Sequence, residues 1–183
     1  THDTLLCFSN RGKVYWKKVY ELPQAGRTAR GKPIVNLFPL EEGERINAVL
    51  SVREFGADHY VFFATTNGTV KKTPLSEYSR PRPGGIIALH LHEGDQLVNV
   101  ELTDGRRDVM LFTDAGKAIR FPETAVRDMG RSAHGMRGIR LDQGQRVIAL
   151  IVVAEGAVLT VTENGYGKRT PVDDYPRKGR GGQ

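Results

Sequence analysis

Cysteine is nearly missing from this chain: Cys7 is its only one in 183 residues. That rules out a disulfide framework and a cysteine-based zinc site. It fits a reducing compartment in which Cys7 serves as a small buried hydrophobe. Long apolar runs are missing too. The longest, Val147 to Ala154, has 8 residues, far short of what a membrane-spanning helix needs. No signal-peptide pattern is present, and no stretch of a dozen residues carries a convincing helical period. The chain begins at Thr1 and stops in a basic, glycine-rich stretch, so it is expected to be a piece of a longer protein.

What is there is globular and turn-rich. Hydrophobic residues make up 39% and charged residues 26%, enough for a packed core. Glycine is over-represented, at 21 of 183 against an ordinary usage of ~7%. Together with 9 prolines it argues for many short strands joined by turns rather than a helical bundle. The net charge of +6 points to an acidic partner such as nucleic acid.

The chain repeats itself. An apolar run, a Ser or Thr, two mostly polar residues, a Gly and a basic segment recur four times, with Gly12, Gly68, Gly116 and Gly165 spaced by 56, 48 and 49 residues. Ser9, Thr65, Thr113 and Thr162 each stand three before the glycine, and Pro74, Pro122 and Pro171 each stand six after it, with Lys18 in the first copy. This reads as a β-hairpin: a buried strand, a turn in which Asn67-Gly68 and Asn164-Gly165 supply positive φ, and a second strand ended by proline. A second motif follows each of the first three hairpins, at Glu42-Gly43-Glu44, Glu93-Gly94-Asp95 and Gln143-Gly144-Gln145, and leads into another strand. A period near 50 residues with about four strands matches a propeller blade. The expected fold is all-β, with units at about 1–56, 57–104, 105–153 and a partial 154–183: about three and a half blades.

Charge follows the period. Residues 1–40, 61–92, 113–140 and 157–183 carry +5, +3, +3 and +2, whereas 41–60, 93–112 and 141–156 carry −3, −3 and −1. Equivalent positions of an array of blades point the same way, so the positive halves should line up as one stripe. Its basic residues are Arg27, Arg30 and Lys32 in the first unit and Lys71, Lys72, Arg80 and Arg82 in the second. The third has Lys117, Arg120, Arg131, Arg137 and Arg140, and the last has Lys168, Arg169, Arg177, Lys178 and Arg180. Guanidinium forks among glycines suit contacts to a phosphate backbone. Few aromatics are interleaved; Tyr20, Tyr78 and Tyr175 are expected to pack loop bases, which favours duplex over single-strand contact.

Enzymatic chemistry finds no foothold. Gly165-Tyr166-Gly167-Lys168-Arg169-Thr170 has Thr162 where a P-loop needs its first glycine and Arg169 where it needs Ser or Thr. His90 and His92 share one strand face without a third ligand, and His2, His59 and His134 are read as isolated. Asn67-Gly68-Thr69 is a glycosylation sequon in pattern only. No nucleophile has a base beside it. A binding module without catalytic residues, cofactor or metal is expected. A propeller used for protein–protein docking is the alternative, in which the basic stripe takes an acidic protein.

Four stretches carry a family resemblance: Ile34-Val35-Asn36-Leu37, Thr66-Asn67-Gly68-Thr69-Val70-Lys71-Lys72-Thr73, Met136-Arg137-Gly138-Ile139-Arg140-Leu141 and Asn164-Gly165-Tyr166-Gly167-Lys168-Arg169-Thr170. The chain resembles the C-terminal domain of the A subunit of bacterial DNA gyrase along its whole length, and the equivalent domain of topoisomerase IV less closely. The resemblance implies a β-pinwheel, a propeller-like disc usually of six blades that exchange strands with their neighbours. It implies double-stranded DNA wrapped around a basic rim in service of negative supercoiling. It also implies partnership with a second A subunit plus the B subunits of gyrase (A2B2), and a place in the bacterial cytoplasm on the chromosome. The catalytic tyrosine of that family lies in the N-terminal part of the protein, outside this chain. The family's Gln-Arg-Arg-Gly-Gly-Lys-Gly box does not occur here; Arg177-Lys178-Gly179-Arg180-Gly181-Gly182-Gln183 resembles it in composition and takes the equivalent loop of the fourth unit.

Overall fold

A computed structural model describes residues 2–182. The chain forms antiparallel hairpins at each expected place: β1 (Thr4–Ser9) with β2 (Lys13–Lys18), β4 (Tyr60–Thr65) with β5 (Thr69–Pro74), β8 (Asp108–Thr113) with β9 (Ala118–Pro122), and β12 (Ala157–Val161) with β13 (Gly167–Pro171). The strands β3 (Ile46–Val52), β7 (Leu97–Thr103) and β11 (Val147–Val152) pair with β1, β4 and β8.

The repeated Ser/Thr-x-x-Gly has a physical cause. The glycine amide closes a turn onto the carbonyl of the Ser or Thr three residues back, as in Gly68 to Thr65 at 3.0 Å. The Ser or Thr hydroxyl then accepts the amide of the residue after the glycine: Lys13, Thr69, Lys117 and Tyr166 donate to Ser9, Thr65, Thr113 and Thr162 at 3.1–3.3 Å. One side chain thus satisfies the amide that the turn would leave open. Gly68 and Gly165 adopt φ of 82° and 81°, but Asn67 and Asn164 do not share the positive φ expected of them, since among the described residues only glycines have one. The turn is therefore an ordinary one closed by a left-handed glycine, not the mirror-image two-residue kind.

The proline at each strand end opens a single 3-10 turn, at Leu75–Tyr78, Glu123–Ala125 and Val172–Asp174, with Val19–Glu21 in the first unit. Proline's fixed φ suits that entry. The chain then crosses to the neighbouring blade. β6 (Ile86–Ile87) leaves the second unit and pairs with β2; β10 (Met136–Arg137) leaves the third and pairs with β5. The sheets read β3-β1-β2-β6, β10-β5-β4-β7, β11-β8-β9 and β12-β13. Among the described residues a fourth strand is present only where a following unit delivers it.

The blades pack face to face. Along β4, Val61 and Phe63 point into a cluster with Leu6, Phe8, Tyr78 and Leu89, while Phe62 and Ala64 point into one with Val109, Leu111, Ile119 and Phe121. Period-two alternation with both faces buried explains why this strand reads as an unbroken apolar run. Phe8 and Phe63 meet edge to face at 5.5 Å. Burial of each such ring stabilises by roughly 1.5–3 kcal/mol. Cys7 is buried beside Tyr15 and Phe38, and desolvation raises its thiol pKa to about 11, which suits an inert packing role. The strands β3, β7 and β11 lie side by side, stitched by Asn47 to the Leu97 carbonyl at 2.7 Å and Asn99 to the Leu150 carbonyl at 3.3 Å. They form the inner edge of a fan of blades, and the exchanged β6 and β10 form its outer edge.

Candidate nucleic-acid interface

Strand exchange decides where the basic loops lie. Residues 79–85 and 126–135 are the crossings that carry the chain from one blade onto the outer edge of the preceding one. Residues 177–182 follow β9 in the same way: the Lys178 amide donates to the Arg120 carbonyl at 2.8 Å and the Gly181 amide to the Gly138 carbonyl at 2.9 Å. The arginine- and glycine-rich segments of three consecutive units therefore run along the outer edge.

Many of the sequence-predicted residues are presented there. Arg80, Arg82, Arg137 and Arg140 are exposed, and none of these side chains has a hydrogen-bond or ion-pair partner among the described residues. Arg27, Arg30 and Lys32 stand in an exposed segment of the first unit, and Lys168 and Arg169 on the exposed β13. Lys178 is exposed as well. Arg131 is half-buried; its Nη1 donates to the Ile87 carbonyl at 3.3 Å and its Nε lies 3.9 Å from Glu77. Arg180 is clamped to the carbonyls of Ala125 and Arg137, and Arg177 pairs with Asp108 at 2.8 Å.

Three expected contacts belong to the interior instead. Lys71 is fully buried, its Nζ donating to the carbonyls of Ala88 at 2.7 Å and Arg131 at 2.6 Å. Burial, and next the nearby Arg131 charge, lowers its pKa to about 7. Lys72 is buried too, 3.1 Å from Asp128 and 4.9 Å from the centre of the Tyr60 ring. Arg120 binds Asp108 at 3.0 Å and the carbonyls of Val172 and Tyr175. These side chains join one unit to the next. Lys117 is used differently, at a hairpin turn. It pairs with Asp142 at 2.9 Å, as Lys13 pairs with Glu41 at 2.6 Å. The acidic half of each of these units thus docks on its own basic turn, so part of the charge alternation is internal pairing. Those contacts hold the Asp142 and Glu41 carboxyls below the ordinary range, chiefly through the lysine hydrogen bonds.

Sequence reasoning missed Lys13, which borders a cleft of about 630 Å³ also lined by Arg82 and Arg131. Its place directly after a hairpin glycine, like that of Lys117, was the available signal. His134 is not isolated: its ring stacks on His92 at 4.6 Å and lies 5.5 Å from His90. Among the described residues no His, Cys, Asp and Glu cluster is arranged to hold a metal ion. Tyr78 and Tyr175 pack inward, the latter on Phe112, whereas Tyr20 is exposed. Among the described residues no helix is long and apolar enough to cross a membrane.

The fold and the basic edge define a strand-exchanging β-propeller, the pinwheel class of repeat domain. The family profile described as "DNA gyrase C-terminal domain, beta-propeller" matches residues 3–53, 59–104, 107–154 and 157–183. The DNA gyrase A subunit of Salmonella typhimurium is 60% identical over 184 residues, covering all of this chain and 21% of that protein. Its Escherichia coli K12 counterpart is 57% identical over 181 residues, covering 98% of this chain and 21% of that protein. The chain thus spans about a fifth of the length of the curated relatives it matches. Among solved structures, the C-terminal domain of DNA topoisomerase IV superposes with a TM-score of 0.90 at 30% identity, over all of this chain and 57% of that one. The DNA gyrase A C-terminal domain superposes with 0.84 at 26%, over all of this chain and 59% of that one. The chain belongs to the DNA gyrase C-terminal domain family.

Proposed function

We propose that this chain binds duplex DNA without sequence preference and bends it along the outer edge of its blades. One observation carries the reading: strand exchange collects exposed arginines of consecutive units, without partners among the described residues, on the edge opposite the inner strands. Phosphate contacts of this kind position a duplex without reading its bases. An outer edge that curves as in a propeller lets each further blade add contacts that straight DNA would miss. Those contacts offset a bending cost on the order of 1–6 kcal/mol for a 20–30 bp site. Within its parent, the wrap serves negative supercoiling by presenting a DNA segment for passage. That work is done in an A2B2 assembly, with a second A subunit plus the two B subunits, on the bacterial chromosome in the cytoplasm. In this reading the chain acts as a binding module.

Binding should weaken by roughly 10³–10⁵ between 50 and 200 mM salt if about 6–10 phosphates are contacted. Closing nicked circular DNA with ligase in the presence of the chain should shift its linking number. Salt-independent binding, or an unchanged linking number at saturating protein, refutes the reading. The structural similarity to the topoisomerase IV domain supports a second version, in which the parent is that enzyme. Identity of 60% to a gyrase protein favours the first, and supercoiling of relaxed plasmid by the parent assembly separates them.

A further inference from the structure

The crossing between the second and third units builds more than a basic surface. Two adjoining clefts, of about 630 and 370 Å³, share Glu77, Arg82, Ile86 and Arg131; Lys13 borders the larger and Arg80 the smaller. Three consecutive units therefore contribute cations to one place. The two arginines common to both clefts are in different states. Arg82 is exposed and its guanidinium has no partner among the described residues. Arg131 is anchored from behind: its carbonyl accepts Lys71 at 2.6 Å and its Nη1 donates to Ile87. The rest of its fork faces Glu77, whose carboxylate stands 3.9 Å from Nε. That separation is an ion pair but too long for a hydrogen bond, so the fork is held in position and left unfilled. A bidentate oxyanion is what such a fork accepts best. A Cβ at Gly84 or Gly130, which also line the larger cleft, would meet nothing within 4 Å, so the entrance is open.

We propose that this junction seats backbone phosphates of the duplex between Arg82 and Arg131, and that Glu77 is a built-in competitor which the entering phosphate displaces from Arg131. The proposal rests on the duplex-binding reading above and adds a consequence that general charge does not give: removing the Glu77 carboxylate strengthens binding only while Arg131 is present.

The test uses the full chain and a random-sequence duplex, with affinity measured by fluorescence anisotropy across a salt series. Thermal unfolding confirms that each variant is folded. Glu77→Gln, at a half-exposed site, should tighten binding about two- to fivefold, the range of an exposed ion pair. Arg131→Ala should weaken it and reduce the log–log salt slope by about one. In the Arg131→Ala background, Glu77→Gln should have little effect, because its target is gone. Inorganic phosphate at constant ionic strength should compete no better than chloride. If the wild type fails to bind duplex, the function proposed above is wrong. If it binds and Arg131→Ala leaves the salt slope unchanged, the seat is wrong. Equal tightening by Glu77→Gln with and without Arg131, or no tightening, overturns the competitor. Millimolar competition by free phosphate makes this a small-anion site and overturns the duplex assignment.

Discussion

Trp16 and Arg120 hold equivalent positions, each four residues after a hairpin glycine, and each donates to a carbonyl in the next unit's 3-10 turn. Trp16 Nε1 reaches Tyr78 at 2.8 Å and Arg120 Nη1 reaches Val172 at 3.1 Å. Lys72, at the same position of the second unit, reaches Glu123 at 3.4 Å. An indole, an ammonium and a guanidinium share only the ability to donate, so the position keeps its role across the first three units and not its charge. Lys72→Met and Arg120→Met should each cost about 1–3 kcal/mol, and Trp16→Phe about 0.5–1.5. Denaturant unfolding measures this, with Trp16 as the sole tryptophan reporter in the two methionine variants. The salt slope of DNA binding should stay unchanged in the two methionine variants.

The hairpins were legible because their causes are local: a hydroxyl capping its own turn, a glycine in the left-handed region, a proline ending the strand. The phase of the charge pointed to basic loops recurring at equivalent positions, and their place on the outer edge came from the family resemblance. The roles of Lys71 and Lys72 were not legible. On a half-covered strand one of two adjacent residues faces water, yet Val70, Lys71, Lys72 and Thr73 are all buried. Both faces of β5 are covered, in part by residues about 55–60 positions further on, Asp128 at Lys72 and Arg131 at Lys71. Such long-range cover leaves no trace in a local pattern. The alternation of Ile87, Leu89 and Leu91 marked a short strand, but the exchanged strands β6 and β10 are two residues each, too short to tell which sheet they join. Their placement came only from the family resemblance.

Lys71 should make stability depend on pH. Its folded pKa of about 7 lies below the ~10.4 of an unfolded lysine. Between those values the folded chain gives up the proton while the unfolded chain keeps it, so unfolding takes up a proton and stability rises with pH across that window. The neutral amine still has two N–H groups for the Ala88 and Arg131 carbonyls. Lys71→Met should remove this rising limb, whose slope is at most about 1.4 kcal/mol per pH unit. It should also cost about 1–3 kcal/mol at pH 7, because the Arg131 carbonyl loses its donor. Ala88 keeps Tyr78, whose hydroxyl donates to it at 3.2 Å. Unfolding curves from pH 6.5 to 10 for both proteins check this; parallel profiles would show that Lys71 is not the group.

The hairpin glycines should respond unequally to alanine. Gly12, Gly68 and Gly116 all have positive φ, of 77°, 82° and 74°, a strain of about 1–2 kcal/mol for any other L-residue. At Gly116 a Cβ would meet nothing within 4 Å, whereas at Gly12 it would lie 2.3 Å from the Leu89 carbonyl oxygen. At Gly68 it would lie 2.9 Å from the Ile139 side chain. Both neighbours belong to the segment arriving from the next unit, whose amides bond the glycine carbonyl: Ala88 to Gly12 and Gly138 to Gly68, each at 2.8 Å. Gly116→Ala should cost the strain alone. Gly12→Ala and Gly68→Ala should cost about 1–3 kcal/mol more, for backbone that must shift. Gly12→Ala should also change Trp16 emission, since the blade that receives β6 is disturbed.

The outer edge itself is tested by comparing cations of the same charge and different address. Arg80 and Arg82 lie in the 79–85 crossing, exposed and without partners among the described residues, whereas Lys117 lies on the turn side, bound to Asp142. If duplex phosphates follow the crossings, Arg80→Ala with Arg82→Ala should lower the salt slope by about 1.8, two contacts at roughly 0.9 each. The loss of affinity should be the same for any two duplexes of unrelated sequence, since phosphates carry no base identity. Lys117→Ala should change the slope by much less than one contact, because its charge is already matched within the chain. A filter-binding salt series on the two variants decides the matter. Equal effects from both would mean that DNA senses only net charge, and a loss confined to one duplex would mean that Arg80 or Arg82 reads bases.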